Sequence, residues 1–268
     1  MRAVERDDHA AGRALAPFLD ERELIEVEHR RYDIRVGMRA ALFDVGDTLV
    51  EGWDPDYRAR EREALVAGYG EREWYDAFLR AKHDPDDHDL PWRQETLVIM
   101  ERWLRARNVP LDDIDLDRVR SLCSVPLDTL ARLTEGAAEA LHWCKGNGLQ
   151  VVLVTNTLWR GDDEVREDWR RFGLADVIDG VASSHSVGWR KPHPAIFQRA
   201  LQLADARPEE AFMVGDRLGA DVLGAKRLGI RAVLRLTTGL VPQIQTDVVP
   251  DAVVRSLREL PAAVRPWL

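Results

Sequence analysis

The chain has 268 residues, of which 45% are hydrophobic and 32% charged. That is enough apolar material for a sizeable core, and the length suits one large domain or a core domain carrying a smaller insert. A net charge of -9 disfavours a nucleic-acid phosphate backbone as a partner, no apolar run reaches the roughly 18 residues of a membrane span, and two cysteines exclude a disulfide framework or a cysteine-rich zinc site. A reducing cytoplasm is the default compartment for such a composition.

Residues 1–37 are dense in charge and show no strand pattern, although 20–31 could form a solvated helix. We expect an extension outside the folded domain, with Met38 as an alternative start and no apolar secretory segment ahead of it. The pattern changes at Ala40. The run 40–43 is short and apolar, ends at Asp44, and is followed by a turn over 45–48. Runs of the same kind recur over 149–155, 177–182, 211–214 and 231–236. Each is rich in Val, Leu or Ala and closes on polar or Gly residues, as strands buried on both faces do.

Helical spacing lies between these runs. Val165, Trp169 and Phe172 share a face that Gly173 would stop, and Ile196, Phe197, Ala200 and Leu201 share another that Pro194 would open. Alternating strand and helix predicts an α/β fold built on a doubly wound parallel sheet, whose ligands bind at the carboxyl ends of the strands. Residues 52–133 interrupt this alternation. They read as successive helices over 64–78 (broken at Gly68 and Gly70), 95–107, 112–123 and 127–133, with a polar loop over 83–91. The predicted organisation is therefore a charged extension (1–37), a core domain (38–51 and 134–268) and a helical insert (52–133).

Four polar elements close the strand-like runs. In Phe43-Asp44-Val45-Gly46-Asp47-Thr48, a carboxylate at a strand end precedes a turn whose amides could cradle an anion; Asp44 could equally cap that turn. In Val154-Thr155-Asn156-Thr157, a hydroxyl and an amide could hold a phosphoryl oxygen or cap the next helix. In Arg190-Lys191-Pro192-His193-Pro194, two prolines stiffen the loop around Lys191, whose ammonium could meet developing negative charge or stand in solvent. In Gly215-Asp216-Arg217-Leu218-Gly219-Ala220-Asp221, two strand-end carboxylates suit Mg²⁺, or else Asp216 caps a helix and Asp221 lies on its surface.

In this order the four elements resemble the haloacid dehalogenase (HAD) superfamily of hydrolases, from about Arg39 to the C-terminus, where Pro250-Asp251-Ala252-Val253 also resembles the family's ending. The resemblance implies a Rossmann-like core with a small helical cap at 52–133, Mg²⁺ as cofactor and a small phosphorylated metabolite as substrate. It implies Asp44 as nucleophile, forming a phospho-aspartate, and Lys191 as the cation steadying it. Thr155 and Asn156 would bind the phosphoryl group. Asp44, Asp216 and the backbone carbonyl of Gly46 would hold the metal, with Asp221 beside it.

One departure bears on activity. Family phosphatases usually carry a second Asp two residues after the nucleophile as general acid and base; Gly46 stands there, and Asp47 follows one residue later on a turn that should aim it elsewhere. Loss of such a group typically costs about 10²–10⁴ in rate. Arg217 and Ala220 also replace the usual Ser and Asn. The expectation is a Mg²⁺-dependent phosphatase that is slow or specialised. The alternatives are a metal-free carbon–halogen hydrolase, with Arg58, Arg60 or neither on its substrate's carboxylate, or a non-catalytic phosphate-binding or regulatory protein. Among the tryptophans of this region, Trp53, Trp74, Trp92 and Trp103, packing is the expected use of most and the substrate entrance of some.

Overall fold

The computed structural model describes residues 37–82, 95–237 and 247–268. The expected helix at 20–31, the loop at 83–91 and Trp92 lie outside the described residues. The core is a parallel sheet of six strands: β1 (Ala40–Phe43), β4 (Gln150–Thr155), β5 (Gly180–Ser183), β6 (Ala211–Gly215), β7 (Arg231–Arg235) and β8 (Ala252–Val254). Their order is β5-β4-β1-β6-β7-β8. β1 lies between β4 and β6, with Phe43 in register with Leu153 on one side and Val214 on the other. Three carboxyl ends therefore come together at the centre, below Asp44, Asn156 and Asp216.

The central strands β4, β1, β6 and β7 are buried on both faces, so their alternating side chains feed two cores. Ala41, Phe43, Val151, Leu153, Phe212 and Val214 point into one, where helices α5 (Ala137–Gly146), α6 (Asp162–Arg171) and α10 (Leu260–Val264) supply Leu141, Trp169 and Val264. Ala40, Leu42, Val152, Val154, Ala211 and Met213 point into the other, covered by Ile196, Phe197 and Ala200 of α8 (Pro194–Leu203) and Ala225 of α9 (Leu223–Arg227). This is the doubly wound α/β architecture that the alternation predicts. Gly173 has a φ of 73° and stops α6, while Pro194 opens α8 beneath a His193 cap.

Two short strands at the edge of the core were not expected. β2 (Val50–Glu51) pairs antiparallel with β3 (Arg132–Leu133), so the insert leaves and returns through one ribbon. A helix expected over 127–133 is instead a single 3₁₀ turn at Leu127–Thr129 followed by β3. The reason is the return path. The chain must come back to Leu49, whose carbonyl accepts from the Thr134 amide at 2.9 Å, and a continued helix would leave those ribbon groups unpaired.

Between the ribbon strands stand α1 (Tyr57–Tyr69), α2 (Tyr75–Lys82), α3 (Thr96–Arg105) and α4 (Leu116–Leu122). The expected break falls at Gly70, where φ is 73°. The helices share a core of Leu65, Tyr75, Phe78, Met100, Leu104 and Val119, with Trp74 and Trp103 packed against it. One member of that core comes from the loop after β4: Trp159, 6% exposed, with its ring 5.9 Å from Phe78 and 6.0 Å from Trp103. Arg120 on α4 donates to the Trp159 carbonyl at 2.7 Å and to Glu164 on α6 at 2.9 Å.

Trp159→Ala should therefore cost about 3–5 kcal/mol by removing a buried indole from a core it shares with four helices. Urea denaturation followed by far-UV circular dichroism measures it. A loss below about 1 kcal/mol would show that the insert core stands without this plug.

Candidate active site

The cavity at the carboxyl ends of β1, β4 and β6 holds about 360 Å³ and is lined by Asp44, Thr155, Asn156, Lys191, Asp216 and Asp221, among others. Every side chain singled out in the four polar elements is thus brought to one place. Asp44 directly follows β1 and is buried. Its Oδ2 accepts from the Thr48 hydroxyl at 3.0 Å, so the turn itself orients the carboxylate. Thr48 is a residue that the sequence reading passed over, although a hydroxyl four residues on from the acid is a visible signal.

Lys191 is almost wholly buried, 2% exposed. Its Nζ donates to Asp44 Oδ1 at 2.5 Å and to the Val154 carbonyl at 2.7 Å, and lies 2.7 Å from Asp221 Oδ1. Burial alone would push the ammonium towards neutrality, but the charges of Asp221 and Asp44 outweigh it and hold its pKa above the ordinary value. The loop carrying Lys191 is fixed by Asn156. Its Oδ1 accepts from the Lys191 amide at 2.7 Å, and its Nδ2 donates to the Lys191 carbonyl at 3.1 Å. The Asn156 side chain is thus engaged in positioning Lys191. Thr155, at the end of β4, is buried and lines the cavity.

Asp221 lies not on a helix surface but 1% exposed, within a wide helical turn, Leu218–Val222. Its Oδ2 accepts from the Arg217 amide at 3.0 Å. Gly215 makes room for it: a Cβ there would stand 2.3 Å from the Asp221 carboxyl carbon. Burial, reinforced by the charges of Asp44 and Asp221, pushes the Asp216 carboxyl up to about 8. Burial also pushes Asp221 up to about 6, against the pull of Lys191.

Asp44, Asp216 and Asp221 can offer carboxylate oxygens that all lie within 4.8 Å of one another. Three carboxylates against one ammonium leave an excess of negative charge in a buried place. An oxygen-only donor set with that excess fits a hard divalent cation such as Mg²⁺. The residues present therefore suit the metal that the family resemblance implies.

Gly46 lines the cavity and has no left-handed φ; the left-handed residue is its neighbour Asp47, at 54°. Asp47 is among the residues lining the cavity, and its carboxylate is engaged by Trp53, with Oδ1 accepting from Nε1 at 3.0 Å. Burial raises the Asp47 pKa, against the Trp53 hydrogen bond. The Asp47 carbonyl accepts from Arg235, which also pairs with Glu51 at 2.9 Å. Trp53 lines the cavity too, whereas Trp74 and Trp103 pack inside the insert. Arg58 and Arg60 do not line it, and Arg60 is bound by Asp54 at 2.6 Å.

A second charged pair braces the cavity wall. Arg160 lies 2.5 Å from Asp168 and donates to the Ser124 carbonyl at 2.9 Å, while Asp168 Oδ1 accepts from the Leu127 amide at 2.9 Å. These contacts fasten the returning end of the insert to α6. Nothing in the local sequence around Arg160 announces them, because their partners are distant in the chain.

A parallel α/β sheet with an acid, a lysine and two further acids at its central carboxyl ends defines a hydrolase-type scaffold. The haloacid dehalogenase-like hydrolase family model matches residues 38–229, and the chain belongs to that family. It is 31% identical to the haloacid dehalogenase-like hydrolase domain-containing protein 3 of Mus musculus, an alignment covering 84% of this chain and 93% of that one. It is 37% identical to the glyceraldehyde 3-phosphate phosphatase of Pyrococcus furiosus over 39% of this chain, but the match spans only 42% of that relative's length. Among solved structures, CbbY from Rhodobacter sphaeroides in complex with phosphate superimposes with a TM-score of 0.59 at 23% identity, over 85% of this chain and 99% of that one. That likeness is one of fold.

The raised Asp216 and Asp221 carboxyls set a pH dependence. In the metal-free protein they bind protons that the unfolded chain releases from about pH 3.9 upward, so folding stability falls as pH rises from about 4 towards about 8. A bound divalent cation should cancel that slope. Thermal melts in chelator and in Mg²⁺, at about pH 6 and about pH 8, check this; equal melting temperatures at both pH values in chelator would contradict it.

Proposed function

We propose that this protein is a Mg²⁺-dependent phosphohydrolase that forms a phospho-aspartate on Asp44, with residues 52–133 serving as its cap. The observation that carries the reading is the buried Lys191 ammonium bridging Asp44 and Asp221 beside a third carboxylate, Asp216. In that arrangement Asp44 is paired with the ammonium, oriented by Thr48, and placed at a strand end on the cavity wall. Lys191 stands where charge on a transferring phosphoryl group would develop. The Thr155 hydroxyl and the Asn156 backbone would supply further contacts to its oxygens, and Asp216, Asp44 and the Gly46 carbonyl would hold the cation. When bound, Mg²⁺ neutralises negative charge on the phosphoryl oxygens and orients them for in-line attack.

The relatives named glyceraldehyde 3-phosphate phosphatase and phosphoserine phosphatase support a small phosphorylated substrate. Arg58 and Arg60 do not line the cavity, so neither is placed to hold a substrate carboxylate there. Cys123 and Cys144 are buried and form no disulfide, which suits the proposed cytoplasmic setting, and no helix among the described residues is long and apolar enough to cross a membrane.

The decisive variant is Asp44→Asn. It should lower phosphatase kcat by at least about 10³-fold without loss of folded protein, since the nucleophile is removed and the shape kept. Retention of more than about a tenth of the activity would rule out the covalent route. Gly46→Asp tests the missing acid. A Cβ at Gly46 meets only Trp53, at 3.5 Å, and the backbone there carries no left-handed strain. The variant should raise kcat on an alkyl phosphate by about tenfold or more and change an aryl phosphate far less. Parallel kinetics on the two esters, in a variant shown to fold, give the answer.

A further inference from the structure

The phosphohydrolase reading leaves open which leaving group the cavity accepts, and two independent features of the turn after Asp44 bear on it. The first is chemical. No carboxyl stands at position 46, and the nearest candidate, Asp47 Oδ1, is held by the Trp53 indole N–H at 3.0 Å. Proton donation to the leaving oxygen is therefore weakly provided. A phenolic oxygen leaves as an anion whose conjugate acid has a pKa of about 10. An alkoxide is closer to hydroxide, for which water's value is about 15.7. Only the first leaves readily without an acid.

The second feature is spatial. The indole edge bearing Cζ2 lies 3.5 Å from where a Cβ of Gly46 would project, so an aromatic ring borders the space left open at position 46. Its orientation is fixed by the bond to Asp47, yet Trp53 remains 42% exposed while lining the cavity. A half-open aromatic surface held rigidly beside the nucleophile is a stacking platform. Val125, Leu127 and Leu130, from the returning end of the insert, add apolar wall to the same cavity.

We infer that the substrate is an aryl phosphate monoester, a phosphate carried on a flat aromatic group, and that Trp53 is the residue that recognises that group. In the first step the Asp44 carboxylate forms a bond to phosphorus. The bond from phosphorus to the aryl oxygen breaks, and the aryloxide departs with the electron pair and takes a proton from water. In the second step a water oxygen bonds to phosphorus, the Asp44–phosphorus bond breaks, and the water's proton is released with the inorganic phosphate.

The experiment has a binding arm and a turnover arm, both on the full chain with saturating Mg²⁺. By calorimetry, phenylphosphonate should bind about tenfold more tightly than methylphosphonate. Trp53→Ala should erase that preference, whereas Trp53→Phe, which keeps a ring and loses the N–H, should retain most of it. Affinity for inorganic phosphate should stay within about twofold in both variants, which also verifies that they fold. In turnover, kcat/KM for phenyl phosphate should exceed that for ethyl phosphate by about 10²-fold or more, and Trp53→Ala should raise KM for the phenyl ester. Equal phosphonate affinities, an unchanged preference in Trp53→Ala, or ethyl phosphate hydrolysed as fast as phenyl phosphate would each overturn the proposal. If neither ester is turned over while the phenyl preference and its loss in Trp53→Ala persist, the aromatic subsite stands and the hydrolytic reading falls.

Discussion

The Lys191 ammonium, shut away from water between Asp44 and Asp221, is the constraint on which the rest of this site depends. An isolated ammonium at that depth would lose its proton or unfold its surroundings, because desolvation of a single charge costs several kcal/mol. Two carboxylates and the Val154 carbonyl offset that penalty, but only if all four groups meet within hydrogen-bonding distance. They belong to four separate segments of chain. Asp44 follows β1, Val154 lies in β4, Asp221 sits in the turn after β6, and Lys191 lies in the loop ahead of α8. The strand order β4-β1-β6 is what permits the meeting, since it places three of those segments side by side. Sheet topology and site electrostatics thus depend on each other.

The same arrangement gathers negative charge beside the ammonium. Lys191 satisfies Asp44 and Asp221 but leaves Asp216, whose carboxyl is driven up to about 8 by burial and by its acidic neighbours. A group so far from its ordinary value is a sign of a missing partner in a functional place. Around this centre the support is rigid. Thr48 holds Asp44, Asn156 holds the Lys191 backbone, and the Arg217 amide holds Asp221. Gly215 is the point where rigidity becomes tight packing, because no side chain could stand between it and the Asp221 carboxyl. The insert is joined to this frame at both ends, by the β2–β3 ribbon and by Arg160 and Asp168, and at its middle by Trp159.

Much of this was legible in the sequence because it rests on local signals. Strands buried on both faces read as apolar runs, and parallel sheets put ligand-binding residues at the ends of such runs, so Asp44, Thr155, Lys191, Asp216 and Asp221 could be named in order. What stayed hidden depends on distant pairing. β2 and β3 are two residues each and carry no periodicity, so the return of the insert read as helix over 127–133. The joints made by Trp159, Arg160 and Arg235 join residues dozens to nearly two hundred positions apart. Asn156 shows the same limit at finer grain. Its place in the chain marked it for the site, but only the fold shows its side chain committed to the backbone of Lys191.

Gly46 is where sequence and structure say different things about one residue. A glycine in a tight turn is ordinarily there for its backbone freedom. Here the left-handed conformation falls on Asp47, which has a φ of 54°, and Gly46 needs no such freedom. Asp tolerates that region better than most side chains, at some cost in strain. The Trp53 N–H on its carboxylate and the Arg235 guanidinium on its carbonyl offset the strain. The turn is therefore stabilised without using what glycine alone can offer. What remains distinctive about position 46 is the absence of a side chain, in the direction from which Trp53 closes in. The bare position leaves Asp44, the buried Lys191 ammonium and the carboxylates of Asp216 and Asp221 together. On the proposed reading, the groups that would stabilise charge are all present at the strand ends, and position 46 offers no side chain for proton transfer.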